Sequence, residues 1–165
     1  MLQNNVCERL KALLDSQQAP YQMLDHAPEG RTDLASAIRG NDLRDAAKAM
    51  VLAVHKGKRG REYVLAVVAG DCRLDFNAIR DLLGSSYVGL APLEKAEELT
   101  GCVMGSVPPF SLHPELKLLA DRRLMQRQQI VFNAGRLDRS IFLPVANYIS
   151  VAKPQVANIA KEDLK

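Results

Sequence analysis

Two nearly continuous apolar runs, AAKAMVLAVH at 46–55 and EYVLAVVA at 62–69, constrain this chain more than any other feature. Runs that are apolar on both strand faces imply strands covered on both faces. Between them KGKRGR sets Gly57 and Gly60 where a turn needs backbone freedom, and adds Lys56, Lys58, Arg59 and Arg61. The segment predicts a buried β-hairpin with a basic tip.

One residue inside the first run does not belong there by hydropathy. Lys48 stands among Ala46, Ala47, Ala49, Met50, Val51 and Leu52. Burying an ammonium costs several kcal/mol, roughly, unless it is paired or opens onto a polar pocket. Two readings stand: a strand-end lysine whose stem snorkels to water, or a lysine in a cavity that holds an anion, a carbonyl or a ribose hydroxyl. Strand parity puts Lys48 with Met50, Leu52 and Val54 on one face.

Around the hairpin, Val6, Leu10, Leu13 and Leu14 recur at helical spacing and predict a helix over 4–17. A strand over 21–26 follows, then a short helix capped by Thr32 and Asp33 and ended by Gly40. Asp75 predicts a helix start and Gly84 its stop; Pro92 and Gly101 bracket another helix. Short strands are expected at 87–90, 116–120, 129–132 and 140–143, and a last helix from Pro144 through Val151. The tail KEDLK is expected to fray. With no repeat or linker, residues 1–165 read as a single domain. The fold class is α+β: a mixed, largely antiparallel, partly barrel-like sheet flanked by helices.

Composition narrows the function classes. With 47% hydrophobic residues the chain can bury a core without disulfides or metals. Cys7, Cys72 and Cys102 are odd in number and far apart, which fits reduced thiols in a cytoplasmic protein and no metal knuckle. No HExxH, GxSxG, Walker or GxGxxG motif is present. No apolar run is long enough for a bilayer, and the N-terminus lacks the apolar stretch of a secretory signal. A net charge of +3 permits an anionic partner without requiring one.

Three further segments could carry chemistry. In 101–110, GCVMGSVPPF, glycines allow close backbone approach and prolines stiffen the loop, so its N–H groups could hold an oxyanion; a plain structural turn is the other reading. Phe132-Asn133-Ala134-Gly135 with Asp138 reads as ordinary turn chemistry, or as an amide and a carboxylate at a pocket rim. His113 follows the proline loop and reads as a surface or capping histidine or as part of a site. Besides the hairpin tip, Arg122, Arg123 and Arg127 form one basic group and Arg136 and Arg139 another; they suit phosphate contacts or simply solvated loops. Cys102 is a candidate nucleophile without a supporting signature and reads better as a packing thiol.

AAKAMVLAV, the later GCVMGSVPPF and the still later FNAG, in that order and spacing, resemble the YbaK/prolyl-tRNA-synthetase-associated domain family over essentially the whole chain. The resemblance implies a mixed sheet flanked by helices and hydrolysis, in trans, of the ester joining a small amino acid (Ala, Ser, Thr or Cys) to the terminal adenosine of a mischarged tRNA. It implies no metal and no organic cofactor. The family's strand lysine matches Lys48, and its glycine-proline loop matches Gly105, Ser106, Val107, Pro108, Pro109 and Phe110. The late turn matches Asn133, Ala134 and Gly135, with Asp138 a looser match. Many members have one proline in the loop where this chain has Pro108 and Pro109. Lys48, Gly105, Ser106 and Val107 are expected to act in catalysis. Pro108, Pro109, Phe110, His113, Asn133, Ala134, Gly135 and Asp138 are expected to line the substrate site.

The expected mechanism follows from the chemistry. Water attacks an already activated ester, loop amides hold the oxyanion, Lys48 orients the ribose or terminal phosphate, and a ribose hydroxyl assists in place of a general base. Lys56, Lys58, Arg59 and Arg61 are expected to contact the tRNA. An aminoacyl-tRNA synthetase is a candidate docking partner; no membrane or DNA partner is expected. The alternative is a binding module for aminoacyl-tRNA or a small ligand, without turnover, that docks on a synthetase.

Overall fold

The structure, a computed structural model, describes residues 2–163. Its elements in chain order are α1 (Leu2–Ser16), β1 (Gln22–Asp25), α2 (Thr32–Arg39), β2 (Ala47–His55), β3 (Arg61–Ala69), β4 (Cys72–Leu74), α3 (Phe76–Leu83), β5 (Tyr87–Leu90), α4 (Leu93–Thr100), β6 (Leu116–Asp121), α5 (Arg122–Met125), β7 (Gln129–Arg136), β8 (Arg139–Pro144), α6 (Val145–Ala152), β9 (Gln155–Ala157) and β10 (Ala160–Glu162). The class is α+β, as the patterning predicts.

The apolar hairpin is the centre. β2 and β3 pair antiparallel from Ala47↔Ala69 to His55↔Arg61, and Val64 through Val68 are all buried. β5 adds to the outer edge of β2, while β6 and then β9 add in parallel beyond β3, giving the order β5-β2-β3-β6-β9. A second sheet, β1-β8-β7, is antiparallel throughout and touches the first through an isolated bridge between Ala46 and Val131. β4 and β10 make a two-stranded ribbon. The sheets meet without closing, so the barrel-like expectation reduces to two sheets packed about one core. α1 lays Val6, Cys7, Leu10 and Leu14 on that core, and its close approach to β7 brings Val6 against Gly135.

Local signals account for most boundaries. Asp75 accepts a hydrogen bond from the Ala78 amide at 3.1 Å and caps α3. Gly40, Gly84 and Gly101 end α2, α3 and α4 in the left-handed conformation that a glycine adopts without strain. Position 31, not a side chain at Thr32 or Asp33, precedes the first turn of α2, and no side chain caps it.

Two further expectations fail. Asn133, Ala134 and Gly135 are not a turn: they continue β7, with a register shift between Asn133 and Arg136 that Gly135 makes possible at φ +80. The tail does not fray before Glu162, because β10 pairs with β4. The buried Asp121 carboxylate holds it there. Oδ1 accepts from the Ile159 and Ala160 amides at 2.9 and 3.1 Å, while Oδ2 accepts from the Arg123 amide at 3.1 Å. Hydrogen bonds to a charged acceptor contribute about 1.5–3 kcal/mol. Asp121→Ala should therefore lower unfolding stability by about that amount in a denaturant titration, and speed amide exchange in 155–163; unchanged exchange there would mean that the tail is held by something else.

Candidate functional site

β5 leaves β2 halfway along its length. It pairs only with Leu52–His55, the Ala91 amide gives a last hydrogen bond to the Val51 carbonyl at 3.0 Å, and Pro92, which has no N–H, then turns the chain into α4. Residues 47–51 are thereby left with β3 on one side and no strand on the other, and they form one wall of a cavity of about 840 Å³. In an antiparallel ladder alternate residues point their peptide groups to opposite neighbours. Val51 points its carbonyl toward β5, so Ala49 points its N–H and C=O the same way, along the open edge.

The other walls come from four places. α4 contributes Ala96 and Glu97, with Leu90, Ala91 and Leu93 as the adjoining rim. The loop after α4 contributes Cys102, Met104, Gly105 and Val107. Gly30 to Asp33 face them from the start of α2, and Leu43, Gly70, Asp71 and Asp163 close the remaining end. The lining mixes small apolar side chains with six charged ones. Two cations, Arg31 and Lys48, stand against four carboxylates, Asp33, Asp71, Glu97 and Asp163. Arg31 is already bound to Asp33 at 3.0 Å, so the wall is net acidic and favours a cationic group.

Lys48 lines this cavity and is half-buried. Its Nζ donates to the Cys72 carbonyl at 2.7 Å, which satisfies one of three N–H groups and fixes the stem. The amine is thus tied to protein through one N–H.

The glycine-proline loop is stiff for identifiable reasons. Gly105 has φ +88, and a Cβ there would stand 2.7 Å from the Cα and O of Gly30, so two chain segments cross glycine on glycine. Asn133 lies behind the crossing and donates through Nδ2 to the Glu29 carbonyl at 2.9 Å and the Gly105 carbonyl at 2.8 Å. Further on, the Tyr148 hydroxyl donates to the Pro109 carbonyl at 2.6 Å, and Phe110 packs in the core against Phe132 and Tyr148, with ring centroids 5.7 and 5.2 Å away. Among the described residues, the amides of Gly105 and Val107 donate to no protein acceptor. Ser106 differs: its amide and hydroxyl both donate to the Val103 carbonyl, at 3.1 and 2.8 Å, and it is fully buried. Its donors are used up within the loop, so of the three expected loop residues only Gly105 and Val107 border the cavity with a free amide.

Of the remaining sequence candidates, only Cys102 lines the cavity among the described residues. Pro108, Pro109 and Phe110 are loop and core. Asn133 and Ala134 are buried in β7, and Gly135 sits under α1, its amide bonded to the Ser106 carbonyl at 2.9 Å. They shape the loop from behind. Asp138, at the β7–β8 turn, is held below the usual carboxylate range by the Arg136 guanidinium 2.8 Å away. His113 accepts the Glu115 amide at 3.1 Å and caps a local turn. Burial pushes the Cys102 thiol up to about 11, so it stays protonated at neutral pH and fits the packing reading.

Sequence reasoning missed the four wall carboxylates, which come from separate elements and share no motif. It also missed Arg39, a buried arginine whose helical position carries no sign of what surrounds it.

Gly105→Ala should lower stability by about 1–3 kcal/mol, since backbone faces the new Cβ. Gly57→Ala at the hairpin tip, with nothing within 4 Å, should cost only about 1 kcal/mol for its positive φ. Equal losses in denaturant titrations would deny the crossing its structural weight.

Comparison with known proteins agrees with this fold. The family model of the aminoacyl-tRNA editing domain matches residues 27–151. The chain is 41% identical over 155 residues to the multifunctional Ser/Thr-tRNA deacylase ProXp-y of Escherichia coli (strain K12), covering 93% of this chain and 92% of that protein. It is 20% identical over 146 residues to the prolyl-tRNA editing protein ProX of Acetoanaerobium sticklandii, covering 86% and 87% respectively. A crystal structure proposed to be a trans-editing enzyme for prolyl tRNA synthetase superposes with TM-score 0.78 at 21% identity, over 94% of this chain and 97% of that one, and so shares the fold. With a half-open strand carrying the lysine, a glycine-stiffened loop across from it and a match spanning most of its length, the chain belongs to the aminoacyl-tRNA editing domain family.

Proposed function

We propose that this protein is a freestanding aminoacyl-tRNA deacylase that hydrolyses, in trans, the ester of a small amino acid wrongly attached to tRNA. One observation supports the reading: Lys48 lines the same cavity, beside an open strand edge, as Gly105 and Val107, whose amides have no protein acceptor among the described residues. The substrate needs those features. Its ester carbonyl becomes an oxyanion as water attacks, and two backbone amides suit that charge, each worth roughly 3–4 kcal/mol in other hydrolases. The α-ammonium of the amino acid suits the acidic wall of Asp71, Glu97 and Asp163 and the free carbonyl of Ala49. Lys48 has two N–H groups left for the ribose or the terminal phosphate. A neighbouring ribose hydroxyl assists the attacking water.

The amino acid removed is serine or threonine in this reading, by analogy with the Escherichia coli relative, a Ser/Thr-tRNA deacylase. The alanine lining at 47, 49, 91 and 96 leaves room for a small side chain, and larger ones are rejected sterically because a methylene discriminates by only about 1–3 kcal/mol. Mischarged tRNA is the partner, met in the cytoplasm. Among the described residues no helix is long and apolar enough to cross a membrane.

The tRNA body would contact the hairpin tip. Lys56 is eight residues past Lys48, roughly 26 Å along an extended strand, far enough to meet the nucleic-acid backbone rather than the ester. Lys56 is committed to Glu62 at 3.5 Å, but Lys58, Arg59 and Arg61 form no ion pair among the described residues. The other basic groups are largely occupied: Arg127 with Asp45 at 2.6 Å, Arg136 with Asp138 at 2.8 Å and Arg139 with Asp25 at 2.7 Å.

A panel of aminoacylated tRNAs tests the proposal. Ser-tRNA and Thr-tRNA should release free amino acid, and Lys48→Ala should slow release at least about tenfold while the protein stays folded. No release from any member of the panel would leave the binding-module reading in its place. Reversing charge at Lys58 and Arg59 should weaken tRNA binding and flatten its dependence on salt; an unchanged slope would remove the tip from the footprint.

A further inference from the structure

Arg39, at the end of α2, is buried and has no carboxylate partner among the described residues. All its acceptors are neutral: Asn41 Oδ1 at 3.0 Å from Nε, Ser140 Oγ and Asn133 Oδ1 at 3.2 and 3.4 Å from Nη1, and Ser36 Oγ at 3.3 Å from Nη2. A buried cation without an anion is costly, and here burial pulls the guanidinium down to about 10. A core that only needed filling would be served by an apolar side chain. The arrangement does something that a neutral filler would not: it fixes which way the Asn133 carboxamide faces.

That carboxamide has one acceptor end and one donor end. The acceptor, Oδ1, takes hydrogen bonds from Arg39 and from the Ser140 hydroxyl at 3.0 Å. The donor, Nδ2, is thereby turned to the carbonyls of Glu29 and Gly105. A flipped amide would set an oxygen against two carbonyls and an NH₂ against a guanidinium. The guanidinium makes the flip unfavourable by charge as well as by geometry, and so keeps both segments of the glycine crossing tied to β7. Ser140 also touches His26 Nε2, at 2.7 Å, which extends the polar network to β1's exit.

We propose that Arg39 is a positioning residue for the hydrolytic site: through Asn133 it holds the Gly105 loop in the register that presents the Gly105 and Val107 amides to the substrate. This rests on the deacylase reading for its kinetic test, and on the fold alone for its exchange test.

The test is a double-mutant cycle on the full chain. Arg39→Met and Asn133→Ala should each lower kcat for Ser-tRNA or Thr-tRNA roughly tenfold, with KM within about threefold of wild type, assayed well below each variant's melting temperature. Arg39→Lys, which keeps the charge and loses the planar fork, should fall between. Because Arg39 acts through Asn133, the double variant should be no slower than Asn133→Ala alone. In parallel, exchange at the Ser106 and Gly135 amides, both bonded within or to the loop, should accelerate in Arg39→Met. Multiplicative losses in kcat, or a kcat per folded molecule that stays at wild type while only melting temperature falls, would overturn the positioning role. Should the wild-type protein release no amino acid, the deacylase reading fails on its own, and the exchange result still decides: unaltered protection at Ser106 and Gly135 in the Arg39 variants sinks this proposal. If Arg39→Met does not fold, Arg39→Lys with Asn133→Ala completes the same cycle.

Discussion

The cavity exists because one strand stops short. β5 follows β2 for four residue pairs and then departs at Leu90, so the first half of β2 keeps its hydrogen-bonding edge unfilled. Backbone groups left unpaired in a protein interior are costly unless water or a ligand meets them. The chain surrounds that edge instead of covering it, with α4 and its loop on one side and the start of α2 on the other. Lys48 in its apolar strand lines this space and ties its amine to the Cys72 carbonyl, and Gly105 and Val107 of the loop line the same space.

Rigidity in the loop is not a property of its prolines alone. Gly105 is pinned by the Asn133 carboxamide and by contact with Gly30, while Pro109 is pinned by the Tyr148 hydroxyl. These anchors come from β7 and α6, far along the chain from the loop. Residues that look like site residues in the sequence, Asn133 above all, act from behind the wall. Charge is also divided in space: the cavity lining is net acidic, while the hairpin tip, roughly 26 Å off along β2, is basic.

Much of the fold was legible because its signals are local. The hairpin follows from two apolar runs around KGKRGR, and the ends of α2, α3 and α4 follow from glycines at 40, 84 and 101. Lys48 was legible as a candidate because a charge in an apolar run is locally anomalous. What stayed hidden depends on long-range pairing. FNAG reads as a turn, but tertiary bonds to the Glu29 and Gly105 carbonyls and to the Ser106 carbonyl draw it into β7. The tail looks polar and loose, yet Asp121 binds its amides. The family resemblance makes Ser106 a loop donor, and only the fold reveals that the Val103 carbonyl takes both of its hydrogens.

Hydrolysis as proposed requires the substrate's aminoacyl end to lie along the open edge of β2 between Lys48 and the Gly105 loop. An NMR titration with a non-hydrolysable amide analogue of seryl-adenosine reads that directly. The amide signals of Ala49, Gly105 and Val107 should shift together and saturate with one affinity. Shifts confined to the groove between α3 and β5, or to the hairpin tip, with those three signals unmoved, would contradict it.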